Sequence, residues 1–131
     1  MPSEILMLVL TGLLALVLGV STIVVHFRAY GGKMIRGNRD DFPPLEGAAM
    51  RVIRAHANLN EALLPFAIVV IAAGLVHLSN PLTVCAAIAF FAARATHALL
   101  YIVGATPWRS ISYYCGLIAT IFLAAQLPFG R

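Results

Sequence analysis

The sequence predicts an all-α integral membrane protein, folded as a bundle of four transmembrane helices. Of its 131 residues, 61% are hydrophobic and only 11% are charged, whereas soluble domains average about 45–50% apolar and about 25% charged residues. Its apolar residues form four runs, each near the roughly 20 residues that cross a bilayer. This composition excludes a soluble domain and a disordered chain. The net charge is +4, but the nine Lys and Arg residues are distributed among membrane segments and form no basic stripe of the kind that binds nucleic acid.

The apolar runs place the expected spans at about 4–27, 45–78, 80–103 and 107–127, within a single membrane domain over residues 1–131. The first run has no Lys or Arg before it and is too long for a signal-peptide core, so we expect it to remain as a span. Apart from Arg131, the Lys and Arg residues lie in the loop at about 28–44, in the halves of spans two and three that adjoin the loops, and at Arg109, just after the loop at about 104–107. The positive-inside rule therefore predicts that both loops are cytoplasmic.

The two cysteines, Cys85 and Cys115, lie inside apolar runs. They form no CxxC motif and no zinc-type spacing. The four-helix topology places them at different depths, so we expect packing residues and no disulfide between them. No metal site is expected.

Polar residues at helical spacing form a stripe on span two and another on span three. The stripes consist of Arg51, Arg54, Asn58 and Glu61 in span two, and of Arg94, His97 and Tyr101 in span three. A charge at the centre of a spanning helix costs about 2.5–3.5 kcal/mol. One explanation is a structural ion pair between Glu61 and Arg94. The other is a polar pocket, open to the cytoplasm, for a ligand whose carboxylates the arginines bind bidentately.

The start of span four predicts an anion site. Thr106 and Pro107 fit the N-cap and first helical positions. Arg109 and Ser110 then lie in the first turn, where free backbone N–H groups and the helix dipole favour an anion. Tyr113 shares the face of Arg109. The alternative for Arg109 is a cationic anchor at the membrane surface.

Pro65 lies four residues after Glu61 in span two. It removes the helical hydrogen bond to the Glu61 carbonyl, so we expect a kink there. The kink would either shape the floor of the pocket or reflect the tolerance of membrane helices for proline.

Residues 54–61, RAHANLNE, followed by LPF at 64–66, resemble the RAxxNxxE signature of the MAPEG family, the membrane-associated proteins of eicosanoid and glutathione metabolism. The resemblance continues in RATHALLY at 94–101 and PWRSISY at 107–113. These two blocks are most similar to the microsomal glutathione transferase and prostaglandin E synthase branch. The three blocks occur in order across spans two to four.

The resemblance implies a homotrimer with glutathione bound between neighbouring protomers. It implies a glutathione transferase that attacks a lipophilic substrate, with peroxidase and isomerase chemistry left open. Ala57 and Ala62 replace larger or polar residues of several relatives. The resemblance and the two polar stripes together indicate which residues bind glutathione: Arg51, Arg54, Asn58, Glu61, Arg94, His97, Tyr101 and Tyr113. The catalytic residues expected beside its thiol are Arg109 and Ser110.

The nucleophile would be the glutathione thiol rather than a protein side chain. A guanidinium at a helix N-terminus lowers the pKa of a bound thiol because it stabilises the thiolate. This is the chemical role that the sequence predicts for Arg109.

Three other interpretations remain open at this stage. One is a lipid-binding relative without catalytic activity. Another is a four-span multidrug exporter with Glu61 as its cation site, although the neighbouring arginines would repel a cationic drug. The third is a haem held by two of the histidines His26, His56 and His97.

Overall fold

The computed structural model describes residues 1–38, 40 and 42–128, apart from the side chains of residues 34 and 35. Its helices are α1 (Ser3–Tyr30), α2 (Lys33–Arg36), α3 (Gly47–Leu75), α4 (Pro81–Val103) and α5 (Thr106–Ala125). The four long helices lie where the apolar runs predict them, and their ends differ from the predicted ends by a few residues. The all-α fold class is therefore confirmed, whereas the short helix α2 was not predicted.

Three of the helices, α1, α3 and α4, are long and apolar enough to cross a membrane. Helix α5 is not among them, since its first two turns contain polar residues, including Arg109, Ser110 and Ser112. The structure thus contains the helix predicted at about 107–127, and its crossing of the membrane stays a prediction.

The helices form a bundle in which α4 packs most extensively on α5, and α1 on α3. One apolar cluster contains Phe66, Phe90 and Leu123, and the phenyl rings of Phe66 and Phe90 stack with centroids 3.7 Å apart. A second cluster joins Leu18 of α1 to Leu59 of α3. This packing sets the rotation of each helix about its axis, and so determines which polar residues meet.

The turn from α3 to α4 ends in a capping box. The Asn80 side chain accepts hydrogen bonds from the backbone N–H groups of Leu82 and Thr83, at 2.8 and 3.1 Å. In return, the Asn80 backbone N–H donates to the Thr83 hydroxyl, at 2.9 Å. Pro81 occupies the first helical position, where its missing N–H is harmless. The start of α4 is therefore fully satisfied by local contacts.

Helix α5 begins differently from the prediction. Its N-cap is Ala105 and not Thr106, which is the first helical residue. The prediction is wrong by one residue because only Gly104 and Ala105 separate α4 from α5, and Gly104 ends α4 in the left-handed conformation at φ 86°. Alanine has no side-chain acceptor, so the first N–H groups of α5 are left uncapped.

Both cysteines are free and exposed on helix surfaces. No disulfide joins Cys85 and Cys115 in this structure. Each lies on an outward face of its helix, so neither packs in the core of the protomer.

We expect Asn80→Ala to lower the free energy of unfolding by about 1 kcal/mol, because it removes the N-cap of α4. Thr106→Ala is the matched control, since the Thr106 hydroxyl makes only a 3.4 Å hydrogen bond to the Gly104 carbonyl. Thermal unfolding of the detergent-purified protein, followed by circular dichroism, measures both variants. Equal losses would contradict the assignment of the two caps.

Candidate functional site

Arg94 lies at the centre of the polar half of the bundle and is 1% exposed. From α4 it reaches both neighbouring helices: Nη1 donates to Oδ1 of Asn58 in α3, at 3.3 Å, and Nη2 donates to the Tyr113 carbonyl in α5, at 2.8 Å. The guanidinium carbon also lies 4.9 Å from the centroid of the Tyr113 ring. Neither hydrogen bond goes to Glu61, so the structure does not support the alternative of a structural ion pair between Glu61 and Arg94.

The guanidinium fits only because residue 116 is glycine. A Cβ built on Gly116 would lie 2.6 Å from Nε and 2.8 Å from Nη2 of Arg94, which is closer than real Cβ atoms approach. Sequence analysis missed Gly116. Its spacing gave a usable signal, because the residues of α5 that face α4 recur every three or four positions: Arg109, Ser112, Gly116 and Thr120.

His97 binds the backbone of the first turn of α5. Its Nδ1 lies 2.9 Å from the Arg109 carbonyl oxygen; since a carbonyl only accepts, Nδ1 is the donor. The Ser112 hydroxyl, which sequence analysis missed, donates to the same carbonyl at 2.8 Å. The His97 ring, in a residue that is 4% exposed, packs against the rings of Tyr101 and Tyr113. His97 therefore positions Arg109 and does not line an open surface.

The Arg109 guanidinium lies over the Tyr101 ring, 4.5 Å from its centroid. It belongs to the uncapped first turn of α5, where the N–H groups of Thr106 and Trp108 have no helical acceptor. Ser110 is exposed in the same turn. A cation and the positive end of a helix dipole thus meet at one place, as the sequence predicts for an anion site.

The remaining residues of the span-two stripe divide into two groups. Arg51 donates from Nε to the Ile102 carbonyl at 2.9 Å, and so satisfies the carboxyl end of α4. Arg54 and Glu61 are exposed on α3. The structure thus joins the stripes through Asn58 and Arg51 and leaves the charges of Arg54 and Glu61 at the protomer surface.

A cavity of about 230 Å³ lies between α3, α4 and α5. Its polar wall includes Asn58, Glu61, Arg94 and Tyr113, and its remaining wall consists of Ala62, Pro65, Phe90, Leu117, Thr120 and Ile121. Pro65 lies within α3, which continues through it. Its missing N–H leaves the Glu61 carbonyl without its usual helical donor, so Glu61 adds a free carbonyl to this region as well as its carboxylate.

The histidines proposed for a haem make unrelated contacts. His26 Nδ1 lies 2.7 Å from the Thr22 carbonyl, and His56 Nε2 lies 2.9 Å from the Asn60 amide nitrogen. His97 is bound to the Arg109 carbonyl. Each ring is oriented by a different partner, which gives no support to a bis-histidine site. The described part of the chain also contains no group of three His, Cys, Asp or Glu residues that could hold a metal ion.

A comparison with known protein families identifies the family of the chain. The sequence profile of the MAPEG family matches residues 5–128. The chain belongs to the MAPEG family. This family includes glutathione transferases and related membrane proteins. The match identifies the family as a whole and does not assign the chain to the glutathione transferase and prostaglandin E synthase branch. No curated protein matches the chain.

For this MAPEG protein, we expect Gly116→Ala to lower the free energy of unfolding by about 1–3 kcal/mol, because the new methyl group overpacks the site of the Arg94 guanidinium. Gly12→Ala is the control, since its Cβ meets nothing within 4 Å; there we expect a gain of about 0.5–1 kcal/mol from helix propensity. Thermal unfolding in detergent compares the two. A Gly116→Ala protein as stable as Gly12→Ala would contradict the placement of Arg94.

Proposed function

We propose that this MAPEG protein is a membrane-bound glutathione transferase, which presents the glutathione thiolate to a lipophilic electrophile. The observation that carries the proposal is positive charge without a carboxylate partner. The described contacts of Arg94 and Arg109 are with carbonyl, amide and aromatic groups. Charge in a low-dielectric site is costly unless an opposite charge accompanies it. Glutathione would supply that charge with two carboxylates and a thiolate.

The thiol of glutathione would lie at the first turn of α5. There the Arg109 guanidinium and the uncapped N–H groups lower the pKa of the thiol, since both stabilise the thiolate. The Ser110 hydroxyl is available in the same turn as a donor. In the reaction, the thiol proton passes to solvent, the sulfur forms a bond to the electrophilic carbon, and the leaving group departs with its electron pair.

Tyr101, His97 and Ser112 would hold Arg109 in place for this step. Tyr101 supports its guanidinium by a cation–π contact, and the other two bind its carbonyl. A pre-positioned cation does not have to reorganise when the thiolate forms. This arrangement supports a catalytic role for Arg109 over a surface anchor.

The remainder of glutathione would bind along α3. Arg54 offers a free guanidinium fork to a carboxylate. Glu61 offers its carboxylate and its free backbone carbonyl to the ammonium group. Tyr113 borders the cavity beside them. Arg51 and Arg94 contribute positive potential, while their described hydrogen bonds shape the protomer.

We propose a homotrimer with glutathione between neighbouring protomers. The exposure of Arg54 and Glu61 on a helix apolar enough to span the membrane supports it, because such charges are costly against lipid. A neighbouring protomer and a ligand would cover them. We also propose that loops 28–44 and 104–107 are cytoplasmic, as positive-inside asymmetry predicts, and that the lipophilic substrate arrives through the lipid.

We expect Arg109→Ala to lower kcat by about 10²-fold, the usual loss when one donor to a developing anion is removed. The Kd for glutathione should change much less, because other residues hold the carboxylates and the ammonium. Ultraviolet thiolate absorbance during glutathione titration, followed by conjugation of a chloronitrobenzene, measures binding and turnover. The control is Arg28→Ala, which removes an exposed cation in the last turn of α1.

An unchanged kcat in Arg109→Ala would remove its thiolate role. No thiolate signal and no thermal stabilisation by glutathione in the unmodified protein would contradict the transferase proposal and favour a lipid-binding relative.

We expect Glu61→Gln to weaken glutathione binding by about tenfold or more, since it replaces a charge-assisted contact with the ammonium by a neutral one. The kcat at saturating glutathione should stay near that of the unmodified protein. Initial rates at varied glutathione concentration separate the two constants. A loss in kcat without a change in KM would place Glu61 at the reaction rather than at the ammonium.

A further inference from the structure

A second buried charged group lies at the opposite end of the bundle, where the proposed function uses no residue. Glu4, in the first turn of α1, is 3% exposed. Its Oε1 accepts hydrogen bonds from the hydroxyls of Ser79 and Thr83, at 3.0 and 2.5 Å. Its Oε2 is also buried and has no hydrogen-bond partner within the described residues.

The hydrogen bonds that connect α1 to the turn before α4 and to its first turn use only Oε1 of Glu4. A desolvated carboxylate oxygen without a donor costs free energy comparable to that of a lost hydrogen bond, and folded proteins rarely leave one. The positive ends of α1 and α4 lie close by, since Glu4 is in the first turn of α1 and Thr83 is the third residue of α4. Both dipoles favour an ionised carboxylate. Oε2 is therefore an acceptor without a donor.

A cavity of about 200 Å³ adjoins this carboxylate. Apolar residues, including Ile5 and Val70, form most of its wall, with Ser79 and His77 at its polar side. A bare metal ion needs several oxygen or nitrogen ligands, and the described residues form no such cluster. A mostly apolar wall that includes one acidic residue, Glu4, suits an organic cation better.

We propose that this cavity binds a primary ammonium group. One N–H of the ammonium donates to Oε2 of Glu4, and the apolar substituent lies against Ile5 and Val70. A small alkylamine and the headgroup of phosphatidylethanolamine both carry this group. The site lies at the end of the bundle away from Arg109, so its occupancy does not depend on glutathione binding.

The test is calorimetric titration of the detergent-purified full chain with n-butylammonium, and with n-butanol as the neutral match. We expect saturable binding of one n-butylammonium per chain, and at least about tenfold weaker binding of n-butanol. Glu4→Gln retains an oxygen for the Ser79 and Thr83 hydroxyls and replaces Oε2 by an amide N–H₂. It should keep the helical circular dichroism and lose n-butylammonium affinity by about tenfold or more.

A second variant tests the cavity independently of the charge. Gly74 borders the cavity, and a Cβ there meets only Ile5, at 4.0 Å. Gly74→Leu should fill the cavity and abolish binding while Glu4 stays in place. Gly12→Ala, in an open position of α1, should bind as the unmodified protein does.

Lipid nanodiscs distinguish the two sources of the ammonium group. Stabilisation by phosphatidylethanolamine over phosphatidylcholine that disappears in Glu4→Gln identifies the headgroup, and binding of n-butylammonium without this lipid effect identifies a soluble amine. The proposal is overturned if neither ligand acts, or if folded Glu4→Gln responds as the unmodified protein does. Equal affinity for n-butylammonium and n-butanol overturns it as well, because the carboxylate would then play no part.

Discussion

The polar half of this bundle depends on one buried guanidinium, that of Arg94. Its desolvation is offset by hydrogen bonds to Asn58 and the Tyr113 carbonyl and by the faces of two aromatic rings. These neutral partners accept hydrogen bonds from Nη1 and Nη2, whereas the buried Nε has no partner within the described residues, and none of them cancels the charge. Gly116 is required because any larger residue would occupy the same space. The interaction therefore fixes α3, α4 and α5 relative to one another and leaves a positive potential in the bundle.

The two ends of the bundle use helix N-termini in opposite ways. The first turn of α4 is closed by the Asn80 capping box, so its N–H groups are engaged locally. The first turn of α5 starts at Ala105 without a side-chain acceptor, and its N–H groups stay available beside Arg109. The difference arises from one side chain, since asparagine carries an acceptor and alanine does not. Because of this difference, the start of α4 has a structural role, whereas the start of α5 is suited to hold an anion.

The polar stripes of the apolar helices contain residues with different tasks. Arg51 and His97 bind backbone carbonyls of other helices, and so their charge or polarity is used inside the protomer. Arg54 and Glu61 remain exposed. A polar residue in a membrane segment is thus a poor guide to ligand contact until its internal partners are known. In the proposed transferase, the internally bound residues hold the shape of the site and the exposed ones meet the ligand.

The sequence by itself determined the four long helices, the breaks between them and the MAPEG motifs. These follow from local features, namely the length of apolar runs, the caps and the i, i+3, i+7 spacing of polar residues. Tertiary structure alone decided that Arg94 pairs with Asn58 rather than Glu61, that Gly116 makes room for it, and that Glu4 meets Thr83, 79 positions away. Such pairings depend on how each helix is rotated about its axis and how closely it approaches its neighbours. Those quantities follow from the packing of all helices together, so no segment encodes them alone.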